Sequence, residues 1–461
     1  MGLYSGTDGT IRLTNLSAAM KHDRDGQWAP VFNAIRRGES LAYRGRVAEA
    51  RGTLITVTGL SSARIGELCV LKDQHTGHEL YGEVIGIRGN QILLTPLGPL
   101  EGVSAKMEVI SEGEPATVAV GHGLLGRVVD AHGKVIDGKG DPECHQRVSI
   151  YQNAPDPLHR APICEPLVTG VKAIDSALTT GIGQRVGIFA MAGGGKSTLL
   201  GMLARGAQAE INVIVLIGER GREVQEFIED NLGEQGLQKS VIVLATADRP
   251  ALERSRAACV GTAIAEYFRD QGKSVLLMMD SVTRYARALR DVGLALGEPP
   301  VRRGFTPSVF SMLPRLFERA GNNDKGSMTA FYTVLLEEEE QGDDPVGEEV
   351  RSLLDGHIIL SRKLASAAHY PAIDVLNSAS RVMNRVVTDE HLGAAKKLRE
   401  NLARYQEVEL LLQLGEYKTG TDANIDAAVS SYPRLMSLLR QSEYDIADFD
   451  QTFVSLQEAC Q

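Results

Sequence analysis

The stretch VGIFAMAGGGKSTLLGMLARGAQA, residues 186–209, decides how the chain is read. VGIFA is apolar and reads as a buried strand. STLLGMLARGAQA has helix formers at helical spacing. Between them lie Ala190, Met191, Ala192, Gly193, Gly194, Gly195, Lys196, Ser197 and Thr198. Three successive glycines let a backbone wrap so that its N–H groups face a phosphate. A helix opening at Ser197 adds its positive dipole end. Lys196 suits the β- and γ-phosphates of a nucleotide, and the Ser197 hydroxyl suits Mg²⁺. The strict phosphate-loop pattern asks for glycine where this chain has Ala190. Alanine is small, so the loop is expected to survive. A chance glycine-rich turn is the bland alternative, and the order strand, GKS, helix speaks against it.

Working outward, the same alternation repeats. NVIVLIGE leads into REVQEFIEDNLG, SVIVLATAD into ALERSRAACVGTAIAEYF, and SVLLMMD into SVTRYARALRD. Apolar strands joined by helical crossovers predict a parallel sheet covered on both faces. Ligands of such sheets sit at the carboxyl ends of the strands. Two acids fall there. Asp280 ends VLLMMD, the place for a carboxylate that holds the water shell of Mg²⁺; it could equally cap the following helix. Glu219 lies in LIGERGRE, where a carboxylate could polarise an attacking water. A salt bridge with Arg220 or Arg222 is the structural alternative for Glu219.

The flanks differ in texture. Residues 1–40 read as an irregular arm in which Trp28, Val31, Phe32 and Ile35 form a short stripe, suited to a partner or to the protein's own body. Residues 41–113 contain six short β-rich runs punctuated by Gly, Asn and Asp, which predict a small antiparallel barrel or sandwich. Tyr43 and Tyr81 are the only aromatic residues there, too few for base stacking, so a structural collar is expected. Residues 114–382 carry the α/β alternation. Residues 383–461 read as helical. Glu337–Glu340 reads as a solvated acidic edge.

Composition narrows the classes. The chain has 461 residues, 43% of them hydrophobic, which suits a folded protein of two or three domains. A net charge of −10 argues against non-specific nucleic-acid binding. The five cysteines show no CxxC pair and read as reduced thiols. His75 and His78 have metal spacing but no completing ligand. No signal-peptide core and no apolar run of spanning length is seen.

Four longer segments carry a resemblance: LIGERGREVQEFIED (216–230), DSVTRYARALRDVGLALGEPP (280–300), RRGFTPSVFSMLPRLFERAG (302–321) and LDGHIILSRKLASAAHYPAIDVLNSASRV (354–382). The chain resembles the type III secretion ATPases, relatives of the rotary ATP synthase head subunits, from about Arg44 to near its end. The resemblance implies a β-barrel, a RecA-like P-loop domain and a C-terminal helical domain, assembled as a homohexamer that uses ATP and Mg²⁺. It implies that Glu219 is the catalytic carboxylate, Arg220 a site arginine and Asp280 the magnesium-associated acid. It makes Tyr370 the aromatic beside adenine, where composition alone suggests a core or interface residue. It makes Arg381 a finger into a neighbour's site, where a surface ion pair is the alternative. Implied partners are a central stalk, peripheral stators, the export gate and chaperone–effector complexes, at the cytoplasmic face of the inner membrane. GEYKTGTD and LSRKLASAAHYPAIDVL look closer to injectisome than to flagellar members. A synthase head is disfavoured because the acidic lever segment is missing, and a Rho-like RNA translocase by charge and the aromatic-poor barrel.

Overall fold

The computed structural model describes residues 44–461, apart from 61–62, 75, 192 and 337–343. The N-terminal stripe, Tyr43, His75, Ala192 and the Glu337–Glu340 run therefore lie outside the described residues.

Six strands close into an antiparallel barrel: β1 (Arg44–Arg51), β2 (Leu54–Thr58), β3 (Glu67–Lys72), β4 (Glu79–Arg88), β5 (Gln91–Leu97) and β6 (Glu108–Pro115). Alternate residues point inward, so Val47, Ile55, Val57, Leu71, Val84, Leu94 and Val109 fill the barrel. Closure removes free strand edges and decides between barrel and sandwich. A buried ion pair ties the collar to the next domain: Arg256 Nη1 lies 2.9 Å from Glu83 Oε2, and the Tyr151 hydroxyl donates to the same carboxyl group.

The central sheet has eight strands: β7 (Arg127–Asp130), β8 (Arg185–Ala190), β9 (Ile211–Ile217), β10 (Ser240–Ala245), β11 (Ser274–Asp280), β12 (Ser327–Leu335), β13 (Gly356–Leu360) and β14 (Ile373–Ser380). Their order is β14-β13-β8-β12-β11-β9-β10-β7. Seven are parallel, but β14 runs antiparallel to β13. The expectation of a wholly parallel sheet is corrected at that edge. Only a short helical turn, Arg362–Ser366, separates β13 from β14, too little chain for a parallel crossover.

The central strands β9, β10 and β11 are buried on both faces, and their residues alternate between two cores. Val213, Val215 and Ile217 join the core beneath the helix Ala251–Asp270, while Ile214 and Leu216 join the other. That second core also holds Leu199 and Leu200 of α1 (Lys196–Gly206) and Leu398, Leu435 and Leu456 of three C-terminal helices. These are α2 (Asp389–Leu414), α3 (Ala423–Leu439) and α4 (Phe449–Ala459). The helical region thus shares a core with the helix that follows the glycine loop. All five cysteines are free. No helix among the described residues is long and apolar enough to cross a membrane.

Candidate nucleotide site

The site forms where β8, β9 and β11 end. Ala190 is the last residue of β8, fully buried, with its backbone in the strand, so nothing local demands glycine. Met191 follows, and its carbonyl accepts from Gly194 N–H at 3.1 Å. Gly193 (φ 80°) and Gly195 (φ 82°) take the left-handed conformation that glycine adopts without strain. Helix α1 opens at Lys196, one residue before the expected start, with Ser197 exposed on its first turn.

Three side chains converge above the loop. Lys196 Nζ lies 2.6 Å from Asp280 Oδ1 and 3.4 Å from Glu219 Oε1. Both carboxylates are buried, Glu219 at 7% exposure and Asp280 at 4%. Burial, and then the charge of Asp280, push Glu219 up to about 7. Asp280 does not cap the helix that follows. Ser281 does, its hydroxyl accepting from Arg284 N–H at 3.3 Å. Asp280 is instead oriented by buried Thr333, whose hydroxyl donates to Oδ1 at 2.8 Å. Nor does Glu219 pair with Arg220 or Arg222. Those arginines point outward, to Glu223 and Glu226. Arg220 is exposed and pairs with Glu223 at 3.5 Å, not with Lys196, Glu219 or Asp280.

Two members of this cluster were not singled out from sequence. Arg284 Nη2 lies 3.3 Å from Glu219 Oε2, and Glu223 hydrogen-bonds Glu219 and is held below the usual carboxylate range by that bond. Both sit on the first turns of the helices that follow the strands ending near Glu219 and Asp280, and nearness to those strand ends was the available signal.

Tyr370, 44% exposed, has its ring against Gly195 and lines a cleft with Gly193 and Thr198. Arg381 is elsewhere. Its N–H donates to Asp355 O at 2.9 Å, and Asp355 pairs with Arg185 at the opposite end of β8 from the loop. Five residue steps separate Arg185 from Ala190, about 17 Å at ~3.3 Å per residue, farther than an arginine side chain reaches. Arg381 is exposed there, and one Nη donates to the Arg351 carbonyl at 3.3 Å.

The donors present fit a nucleotide with Mg²⁺. Ser197 and Asp280 offer hard oxygens, and Mg²⁺ is ordinarily held by one or two such groups plus substrate phosphates. Among the described residues no group of three or more His, Cys, Asp or Glu could hold a metal by itself.

A glycine loop opening a helix, with lysine and two acids at strand ends of a doubly covered sheet, defines a RecA-like P-loop nucleotide-binding chain. Comparison with known proteins narrows this. Residues 170–380 match the nucleotide-binding domain of the ATP synthase alpha/beta family, and residues 47–113 its beta-barrel domain. Residues 387–458 match the C-terminal domain of the type III secretion ATPase EscN. A type 3 secretion system ATPase of Sinorhizobium fredii is 50% identical, over 92% of this chain and 93% of that one. A flagellum-specific ATP synthase of Bacillus subtilis is 47% identical, over 92% and 97%. The solved structure of assembled EscN from enteropathogenic E. coli superposes with a TM-score of 0.85 at 50% identity, covering 90% of this chain and 100% of that one. The chain belongs to the type III secretion ATPase family, a family of ATP-hydrolysing enzymes.

Proposed function

We propose that this chain hydrolyses ATP as the motor of a bacterial type III protein secretion apparatus, releasing chaperones from export substrates and helping to unfold them. The observation that carries the chemistry is the convergence of Asp280 and Glu219 on Lys196 Nζ above a glycine loop. Lys196 would leave its carboxylate partners for the β- and γ-phosphates. Ser197 and Asp280 would hold Mg²⁺, which neutralises phosphate charge when bound. Glu219 would accept a proton from the attacking water, and the Arg284 cation 3.3 Å away would favour its ionised form.

Arg381 cannot serve the site of its own chain, so it is assigned to a neighbour's site in a homohexameric ring. Assembled EscN, and EscN with its central stalk EscO, support a ring that meets a stalk. Stators, the export gate and attachment at the cytoplasmic face of the inner membrane complete this reading. Flagellar export is the second reading, favoured by the flagellum-specific relative at 47% identity. The test of the nucleotide site is Lys196→Ala. It should cripple Mg-ATP hydrolysis while leaving the fold largely intact, and near-normal turnover at saturating Mg-ATP refutes the assignment.

A further inference from the structure

The last residue of β8, Ala190, opens the phosphate loop, and the first, Arg185, belongs to the network that carries Arg381. Asp355 is the hub of that network. Its carbonyl accepts from the Arg381 N–H at 2.9 Å and from Gln184 Nε2 at 2.9 Å. Arg185 takes both oxygens of its carboxylate. Oδ2 accepts from Arg185 Nε at 3.0 Å and from the Arg185 main-chain N–H at 3.2 Å, and Oδ1 accepts from Nη2 at 3.2 Å. The other amino group of Arg185 pairs with Glu318, which has a second cation, Arg160, at 3.0 Å. A planar guanidinium can serve two carboxylates in this way.

Arg381 itself is left without an acid. Its guanidinium donates to the Arg351 carbonyl, and among the described residues no carboxylate pairs with it. An arginine that already holds a carboxylate must release it before it can meet a phosphate. Its apparent strength then falls by the fraction of time it is free. Asp355 is the acid that could capture it. It is bonded to the main chain of Arg381, and its side chain is 27% exposed, on the solvent side of the strand ends.

We propose that Arg185 is a positioning residue for Arg381: by occupying the Asp355 carboxylate it keeps Arg381 unpaired in its own chain and available to a neighbour's phosphate. The inference rests on the reading of Arg381 as a finger supplied in trans. The strand that carries a chain's own phosphate loop then also keeps free the arginine that the chain lends.

The test separates a guard from a strut. Arg185→Met removes the cation and keeps an unbranched stem. Glu318 retains Arg160, so the acid set loose is Asp355. Capture of Arg381 in a partly exposed ion pair should lower kcat of the assembled full-length chain about fivefold, the upper end for such pairs. Asp355→Asn alone, and Arg185→Met with Asp355→Asn together, should both stay within about twofold of wild type, because neither leaves a loose carboxylate. A strut would suffer equally from loss of either partner, and the double variant would be no better than the single ones. Equal losses in the two single variants, no recovery in the double variant, or undiminished turnover in Arg185→Met overturns the proposal. Arg185→Met chains assembled with an excess of Glu219→Gln chains receive Arg381 from unaltered neighbours. Their single-turnover cleavage should match that of wild-type chains diluted in the same way, and a persisting deficit overturns the proposal. If Arg381→Ala cleaves ATP at the wild-type rate, the shared-site reading fails and this inference falls with it. Should Arg185→Met not fold, Arg185→Gln replaces it in every comparison, with the same order of rates expected and the same results overturning the proposal.

Discussion

Replacing Glu219 with glutamine separates chemistry from structure, because the site already tolerates an uncharged group there. Burial and the charge of Asp280 push the carboxyl up to about 7, so its protonated form is readily reached near neutral pH. Glutamine mimics that form and can still donate toward Glu223. Neither cation is left buried and alone: Lys196 keeps Asp280 at 2.6 Å, and Arg284 is 26% exposed. Folding stability should therefore change by no more than ~1 kcal/mol, the centre of the range for single substitutions. Turnover should fall about 10²–10⁴-fold, or ~3–5 kcal/mol of barrier, as for loss of a general base. The sign of the pH dependence follows from the same group. A base must be ionised, and a carboxyl pushed up to about 7 is ionised only as pH rises through that value. Wild-type kcat/KM should rise about tenfold between pH 6 and 8, and the residual rate of the variant should be flat. Denaturant unfolding and steady-state phosphate release measure both quantities. A variant that loses several kcal/mol of stability makes Glu219 an ion-pair strut, and one that turns over normally removes it from the chemistry.

Arg284→Ala withdraws the cation 3.3 Å from Glu219, so the inflection of the pH–kcat/KM profile should move above its wild-type position; an unmoved inflection shows that Arg284 does not act on Glu219. Chelating divalent cations should abolish hydrolysis, and Asp280→Asn should raise the Mg²⁺ concentration needed for half-maximal rate; turnover that survives EDTA contradicts the donor set of Ser197 and Asp280.

The phosphate loop was legible because it is local. Strand, glycines, lysine and helix occupy one continuous segment, and each residue has its own physical reason. The barrel was legible from strand texture, since alternation with frequent turns needs no knowledge of partners. The reversed edge strand was not: β14 mixes Asp374, Asn377, Ser378 and Ser380 with its apolar residues, as an edge strand of either direction can, and the short connection after β13 is what betrays its direction. Asp280 was placed correctly at a strand end, but its competition with Ser281 for the helix cap is settled by backbone geometry that sequence does not carry. Arg284 was missed although it opens the helix just after Asp280, because an arginine on a helix is ordinarily a solvated side chain and its partner Glu219 lies on another strand's end. Tyr370 and Arg381 had no local signal. Long-range topology puts one against the glycine loop and the other at the far end of the same strand.

That separation of Arg381 from its own loop makes a shared active site the central claim. The most direct measurement mixes two inactive variants, Glu219→Gln and Arg381→Ala, during ring assembly and follows single-turnover cleavage of bound ATP. Each variant alone should be nearly inactive, since an arginine supplied in trans is worth about 10³–10⁵ in rate. In a head-to-tail ring of randomly mixed chains, about a quarter of the interfaces at equal ratio place an intact Glu219 opposite an intact Arg381. Cleavage should therefore reappear, peak at equal mixing and vanish at either extreme. Mixed rings that assemble stably and cleave no ATP at any ratio would contradict the claim.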